Sequence, residues 1–258
     1  MIGIYFSGTG NSKYCVEKFI QECEPEAKAF SIEEEEAIHQ ICVQSELVIG
    51  YPVQYSNIPK FVRDFIEGNP GIWKGKRIFV IATMGLFSGD GAGILARLLQ
   101  KYGATITGGL HLKMPDCISD VKALKRPLQV NRQLVADAEK KIKQAAENYQ
   151  KGNPPQEGIG FLYHLAGLFG QRLYFFYKTR KYSDKLKIDT DMCVGCGQCA
   201  QLCPMKNITM ERTAADKKIA TAGKQCTMCY RCISKCPNQA ITLIGKRVIE
   251  QGNIQKYL

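Results

Sequence analysis

Over residues 1–150 the apolar positions come in short blocks, separated by polar, glycine-bearing stretches, and the blocks alternate in period. Residues 1–6 are apolar and β-prone, which predicts a buried strand. The stretch ending at Cys23 has helical spacing, with Cys15, Phe19 and Ile20 on one face. A short strand is expected over residues 27–31. A helix start follows in the acidic stretch 33–36, where carboxylates suit an N-terminus and read as a solvated face. Residues 47–51, 77–83 and 105–112 read as further strands, and 92–102 and 131–149 as helices. Five strands alternating with helices predict an α/β fold with a parallel, doubly wound sheet. A ligand of such a sheet sits beyond the carboxyl ends of its strands, at the switch point.

The pattern changes after residue 113. Residues 114–130 are too long for a tight connection and are expected to form a lid or a partner site. Residues 151–155 (Lys-Gly-Asn-Pro-Pro) end the last helix and mark a boundary. Residues 158–177 are apolar and aromatic-rich, with Arg172 as the one formal charge. Twenty such residues could span a bilayer, but His164, Gln171, Arg172 and four glycines argue against it. A helix packed between two domains is expected, with an amphipathic helix on a membrane surface as the alternative. Residues 211–224 read as an exposed loop or hairpin, and 241–258 as a strand followed by an exposed end. The expected organisation is a domain over 1–150, a connector over 151–185 and a small domain over 186–258.

That small domain carries the most specific signal. Cys193, Cys196, Cys199 and Cys203 precede Pro204, and the same spacing recurs in Cys226, Cys229, Cys232 and Cys236 before Pro237, each cysteine 33 residues after its counterpart. Soft thiolates suit iron–sulfur clusters. Zinc sites take four ligands in two pairs, which this double run fits poorly. The chain is also too long for a secreted disulfide scaffold. Residues 186–246 therefore resemble the bacterial-type ferredoxins with two [4Fe–4S] clusters. The resemblance implies that the fourth cysteine of each run serves the other cluster. One cluster would take Cys193, Cys196, Cys199 and Cys236, the other Cys203, Cys226, Cys229 and Cys232.

At the other end, Ser7, Gly8, Thr9, Gly10, Asn11 and Ser12 lie between a strand and a helix start. Glycines let a phosphate approach the backbone, hydroxyls donate, and the helix N-terminus supplies N–H groups. The loop is neither a Walker motif nor G-x-G-x-x-G, because position 13 is Lys. Two more loops leave predicted strand ends: Pro52, Val53, Gln54, Tyr55 and Ser56, then Thr83, Met84, Gly85, Leu86 and Phe87. Together the three loops over residues 1–150 resemble the flavin mononucleotide (FMN) loops of the flavodoxin family, with Ser12 where Thr is commoner. The resemblance implies an FMN site in these loops, with Tyr55 and Phe87 as the candidates for a ring that stacks on flavin; the alternative for each is packing against the core or a neighbouring loop.

The remaining signals are weaker. Cys15, Cys23, Cys42 and Cys117 read as packed cysteines, and His39, His111 and His164 are scattered and read as structural. Met1 leads straight into a strand with no basic leader, so a cytoplasmic protein is expected. The formal net charge is +11, with residues 1–150 holding 18 Lys/Arg against 17 Asp/Glu and residues 151–258 holding 17 against 7. Two clusters and a phosphomonoester would leave about +5. This basic excess surrounds anionic clusters, so an acidic redox partner, rather than nucleic acid, is expected. The whole chain resembles the flavodoxin–ferredoxin fusion proteins labelled as the EFR1 family. That resemblance implies an electron-transfer protein joining one-electron clusters to a flavin that takes one or two electrons. The alternative is an FMN-dependent reductase of a small molecule, a quinone or a flavin. No dinucleotide fingerprint is present.

Overall fold

The computed structural model describes residues 1–87, 89–160, 163–164 and 182–258. The helix expected over 158–177 lies almost wholly outside the described residues.

Period-two alternation builds a five-stranded sheet. Its strands are β1 (Ile2–Tyr5), β2 (Ala29–Ser31), β3 (Glu46–Pro52), β4 (Arg77–Met84) and β5 (Thr105–Lys113), all parallel, in the order β2-β1-β3-β4-β5. That order is flavodoxin-like. Ile2, Ile4, Leu47, Ile49, Tyr51, Ile78 and Val80 fill one core layer, while Val48, Phe79, Ile81, Leu110 and Leu112 fill the other. α1 (Asn11–Cys23) and α5 (Leu128–Gln150) cover the second layer; α2 (Glu35–Val43), α3 (Lys60–Gly68) and α4 (Gly91–Lys101) cover the first. The apolar pattern predicts no helix at α3. Its signal is short but present: Pro59 at the cap, then Val62 and Ile66 buried one turn apart. α5 starts three residues earlier than the pattern suggests, directly after Pro127.

The small domain follows the sequence repeat. β6 (Lys187–Ile188) pairs antiparallel with β9 (Ile241–Thr242), and β7 (Ile208–Arg212) with β8 (Lys218–Ala222). The latter pair resolves the polar stretch 211–224 as part of a hairpin. The short helices α6 (Gln198–Gln201) and α7 (Arg231–Lys235) start 33 residues apart, each inside a cysteine run.

The C-terminal tail corrects the expectation of an exposed end. After β9 it runs along the loop that follows β5: the Ile249 and Glu250 N–H groups both donate to Ser119 O. The Ile254 N–H donates to Thr9 O at 3.0 Å, and Ile254 and Tyr257, each 5% exposed, pack into the core layer under α1 and α5. Apolar side chains in a polar tail bury wherever an open core edge receives them, and that edge belongs to the first domain.

Candidate functional site

The carboxyl ends of β1, β3 and β4 release the three loops into one place. They surround a cavity of about 390 Å3 lined by Ser7, Gly8, Thr9, Asn11, Ser12, Pro52 to Ser56 and Thr83 to Phe87. Gly10 does not line it. Its φ of +98° starts α1, its N–H donates to Ser7 Oγ, and a side chain there would meet Ile254 at 2.5 Å. Its role is thus conformational, because the left-handed region excludes most other residues.

At the polar end, Ser12 and Thr83 share a hydroxyl hydrogen bond of 2.7 Å that ties the first loop to the third. α1 has no side-chain cap and no acidic residue in its first turn, which leaves its N–H groups and dipole for an anion. Among the described residues Asn11 Oδ1 and Gln54 Oε1 are buried acceptors without a hydrogen-bond partner, and both residues line the cavity. Such atoms are costly unless a ligand's N–H or O–H reaches them, and a flavin offers both. The residues present therefore fit the group.

The second loop is tightly wound. Gln54 and Asn57 exchange backbone hydrogen bonds of 3.0 and 2.9 Å across Tyr55 and Ser56, at φ +47° and +57°. Non-glycine residues pay about 1–2 kcal/mol each for that conformation. The Tyr55 ring stacks on Tyr182 at 5.4 Å, and both rings line the cavity. Phe87 stands at the rim, 62% exposed.

The small domain closes the cavity. Met228, Cys229 and Tyr230 line it, together with Ile244 and the stretch from Met114 to Leu124. Sequence reading anticipated a lid over residues 114–130 but not this second wall. Gln54 Nε2 donates to Met228 O at 3.1 Å, and a methyl group on Gly8 would run into the Cys229 carbonyl oxygen. The Arg231 guanidinium forks onto Glu33 at 2.6 and 2.5 Å and donates to Ser7 O at 2.8 Å. Glu33, read from sequence as a solvated face, is therefore half of an interdomain ion pair. Asp120, 4% exposed, is a second pin. Its Oδ1 accepts from Tyr230 Oη at 3.0 Å, and its Oδ2 from the N–H groups of Leu243, Ile244 and Gly245 at 2.7, 2.9 and 3.0 Å.

The eight cysteines of the double run stand as free thiols around two voids. Cys193, Cys196, Cys199 and Cys236 line one; Cys203, Cys226, Cys229 and Cys232 line the other. Among the described residues no group of three or more His, Cys, Asp or Glu side chains is placed to hold a single metal ion. Repeat symmetry extends to sulfur hydrogen bonds: Asn207 N–H donates to Cys203 Sγ at 3.3 Å, and Ala240 N–H to Cys236 Sγ at 3.4 Å. Burial, then the neighbouring Cys229 and Cys203, pushes the Cys226 thiol up to about 12. Such a thiol ligates only when a metal drives off its proton. Cys229 and Tyr230 line both the second void and the large cavity.

The other sequence candidates are dispersed. His111 Nε2 accepts the Ala92 N–H at 3.0 Å, His164 Nδ1 lies 3.3 Å from Asp90, and His39 is exposed beside Glu36. Cys117 lines the cavity, with burial pushing its thiol up to about 12. No helix among the described residues is long and apolar enough to cross a membrane.

Residues 186–243 match the family model of the 4Fe–4S dicluster domain. A ferredoxin of Methanothermococcus thermolithotrophicus is 36% identical over 58 residues, 22% of this chain and 92% of that protein. UacF of Escherichia coli (strain K12), named as an oxidoreductase, is 32% identical over 74 residues, and the match spans 11% of its length. The structure of Megasphaera elsdenii flavodoxin aligns with 57% of this chain and 99% of its own, at 18% identity and a TM-score of 0.42. The flavodoxin-like assignment rests on the strand order. Through its C-terminal segment, the chain belongs to the ferredoxin family that carries the 4Fe–4S dicluster domain.

Proposed function

We propose that the chain is an electron-transfer protein that links two [4Fe–4S] clusters to FMN. Cys193, Cys196, Cys199 and Cys236 would hold cluster one, and Cys203, Cys226, Cys229 and Cys232 cluster two. FMN would lie in the 390 Å3 cavity, its phosphate against Ser7 to Ser12. Bound, the clusters supply one-electron capacity and the flavin one- or two-electron capacity. One observation carries the reading: Cys229 and Tyr230 form a single wall between the second cysteine set and the cavity. Cluster two is then the neighbour of the flavin, and cluster one the outer member. A flavin and two clusters in one chain is what the resemblance to flavodoxin–ferredoxin fusion proteins implies.

An anaerobic cofactor assay followed by reductive titration tests it. About eight iron, eight sulfide and one FMN per chain are expected, with flavin and cluster absorbance changing together as electrons are added. Iron without flavin would leave a ferredoxin and remove the link.

The reductase reading keeps one supporting observation. Met114, Ile118, Val121 and Leu124 give the cavity an apolar side that a small hydrophobic acceptor could share with the flavin. Turnover with a soluble quinone or free riboflavin, saturating in the acceptor, would favour it over simple electron carriage.

A further inference from the structure

We infer that the cluster-one end of the small domain, centred on Val194 and Cys196, is the docking surface for an acidic one-electron carrier protein. The inference rests on the proposed cluster and flavin assignment and extends it to the partner.

Burial separates the two cysteine sets. Cys229 and Cys232 are 8% exposed; Cys229 packs into the core of the first domain and Cys232 into that of the small domain, and Arg231 between them is clamped to Glu33 and Ser7. Cys196 is exposed, and Met192 and Val194 beside it are 45% and 60% exposed. Val194 lines the same void as its neighbouring cysteines, so it carries exposed apolar surface to the proposed site of cluster one. Neither Met192 nor Val194 packs into the small domain's core. Two apolar side chains flanking Cys193, and open to solvent, suit the dry centre of an interface.

Charge gives the partner its sign. Four exposed lysines adjoin this end. Lys187 precedes Ile188, which lines the void. Lys218 places its carbonyl against Gly195, Lys217 Nζ reaches Thr190 O at 2.6 Å, and Lys235 precedes Cys236. Among the described residues none of the four has an ion-pair partner. Against them stand Asp191, which is exposed, and Asp189, whose Oδ1 already accepts the Asp191 and Met192 N–H groups at 2.9 and 3.1 Å. The rim is therefore cationic, which steers an acidic protein and speeds its encounter. In the transfer the carrier is oxidised by one electron and cluster one is reduced by one; no proton or leaving group moves.

Leu86 and Phe87, 57% and 62% exposed at the cavity rim, are the competing surface. The test uses the full chain with its cofactors, and a chemically reduced, acidic two-[4Fe–4S] bacterial ferredoxin as probe, in stopped flow at several salt concentrations. Lys187→Glu with Lys218→Glu, and separately Val194→Glu, are expected to slow the second-order reaction by about tenfold or more and to flatten its salt dependence. Calorimetric binding of the oxidised probe should weaken in the same order. Val43→Glu at the exposed end of α2, and Lys140→Glu on the exposed face of α5, should leave both within about twofold. Loss at Leu86→Glu with normal Val194→Glu would move docking to the flavin rim. An equal loss at Lys140→Glu would reduce the effect to net charge. A salt-independent wild-type reaction would remove the cationic rim from the account. Each of these results overturns the inference. Dithionite separates the underlying reading: if it reduces the clusters and the flavin does not follow, the link between cofactors fails, whatever the docking result.

Discussion

Tyr230 holds φ at +60° and Met228 at +55°, where their counterparts in the first cysteine run are Gly197 at +77° and Gly195 at +68°. The backbone of each run thus demands a left-handed residue at the same two places. The first run answers with glycine; the second accepts a strain of about 1–2 kcal/mol per residue and gains two side chains on the cavity wall. The exchange is visible in the sequence, but it acquires meaning only with the dihedral angles, because spacing alone does not say which ligand loop must twist. The cysteines themselves were legible because their 33-residue repeat and trailing prolines are local. Gly10 was assigned to the phosphate site from the company it keeps, and the structure turns it towards Ile254.

His111 carries a prediction at this scale. Burial, assisted by Lys141 and opposed by Glu157, lowers its pKa from 6.5 to about 4, and its Nε2 accepts the Ala92 N–H only when unprotonated. The folded value lies below the unfolded one, so the unfolded chain binds the extra proton between those limits. Stability from this group is full above about pH 6.5 and is lost as pH falls towards about 4. Urea midpoints across that range should fall less steeply in His111→Gln, whose amide oxygen can still accept. Parallel curves for the two proteins would place the acid sensitivity elsewhere.

Among the elements, the βα alternation of the first domain was readable because each strand is a run of apolar residues bounded by glycine or charge. β3 and β4 are buried along nearly their whole length, as a parallel sheet covered on both faces requires. The tail was not readable. Its residues are mostly polar, it has no period, and its anchor is the first loop of the chain, the most distant partner the sequence offers. Ile254 and Tyr257 seal that loop from outside while Gln251 Nε2 holds the Ile233 and Cys236 carbonyls at 3.0 and 2.7 Å. Ending the chain after Gln251 should therefore lower stability by roughly 2–4 kcal/mol and weaken FMN binding about tenfold, with iron content unchanged. Flavin fluorescence titration, chemical denaturation and iron assay would read the three effects. Undiminished flavin affinity would mean that the phosphate loop holds its shape without the tail.

For the molecule as a whole, the two domains do not meet as separate bodies on a tether. One domain supplies Ser7, Gly8, Glu33, Gln54 and Asp120, and the other meets them with Arg231, Cys229, Met228 and Tyr230. No composition or motif announces these contacts, since each joins residues far apart in sequence and of ordinary type. They have a consequence for how the protein is assembled in time. The segment from Thr227 to Cys232 would be held in one shape by a cluster on its cysteines, and Met228, Cys229 and Tyr230 of that same segment line the cavity proposed for the flavin. On the proposed assignment, occupancy of one cofactor site would alter the affinity of the other, and by the same factor in both directions. Iron-depleted chain, or Cys226→Ser, should bind FMN roughly 5- to 150-fold more weakly than the loaded protein, and FMN should protect the clusters from chelators. Equal flavin affinities with and without iron would show that the wall stands unaided. With the coupling in place each cofactor would favour the entry of the other, and a copy that failed to acquire its iron would hold little flavin with which to leak electrons to oxygen.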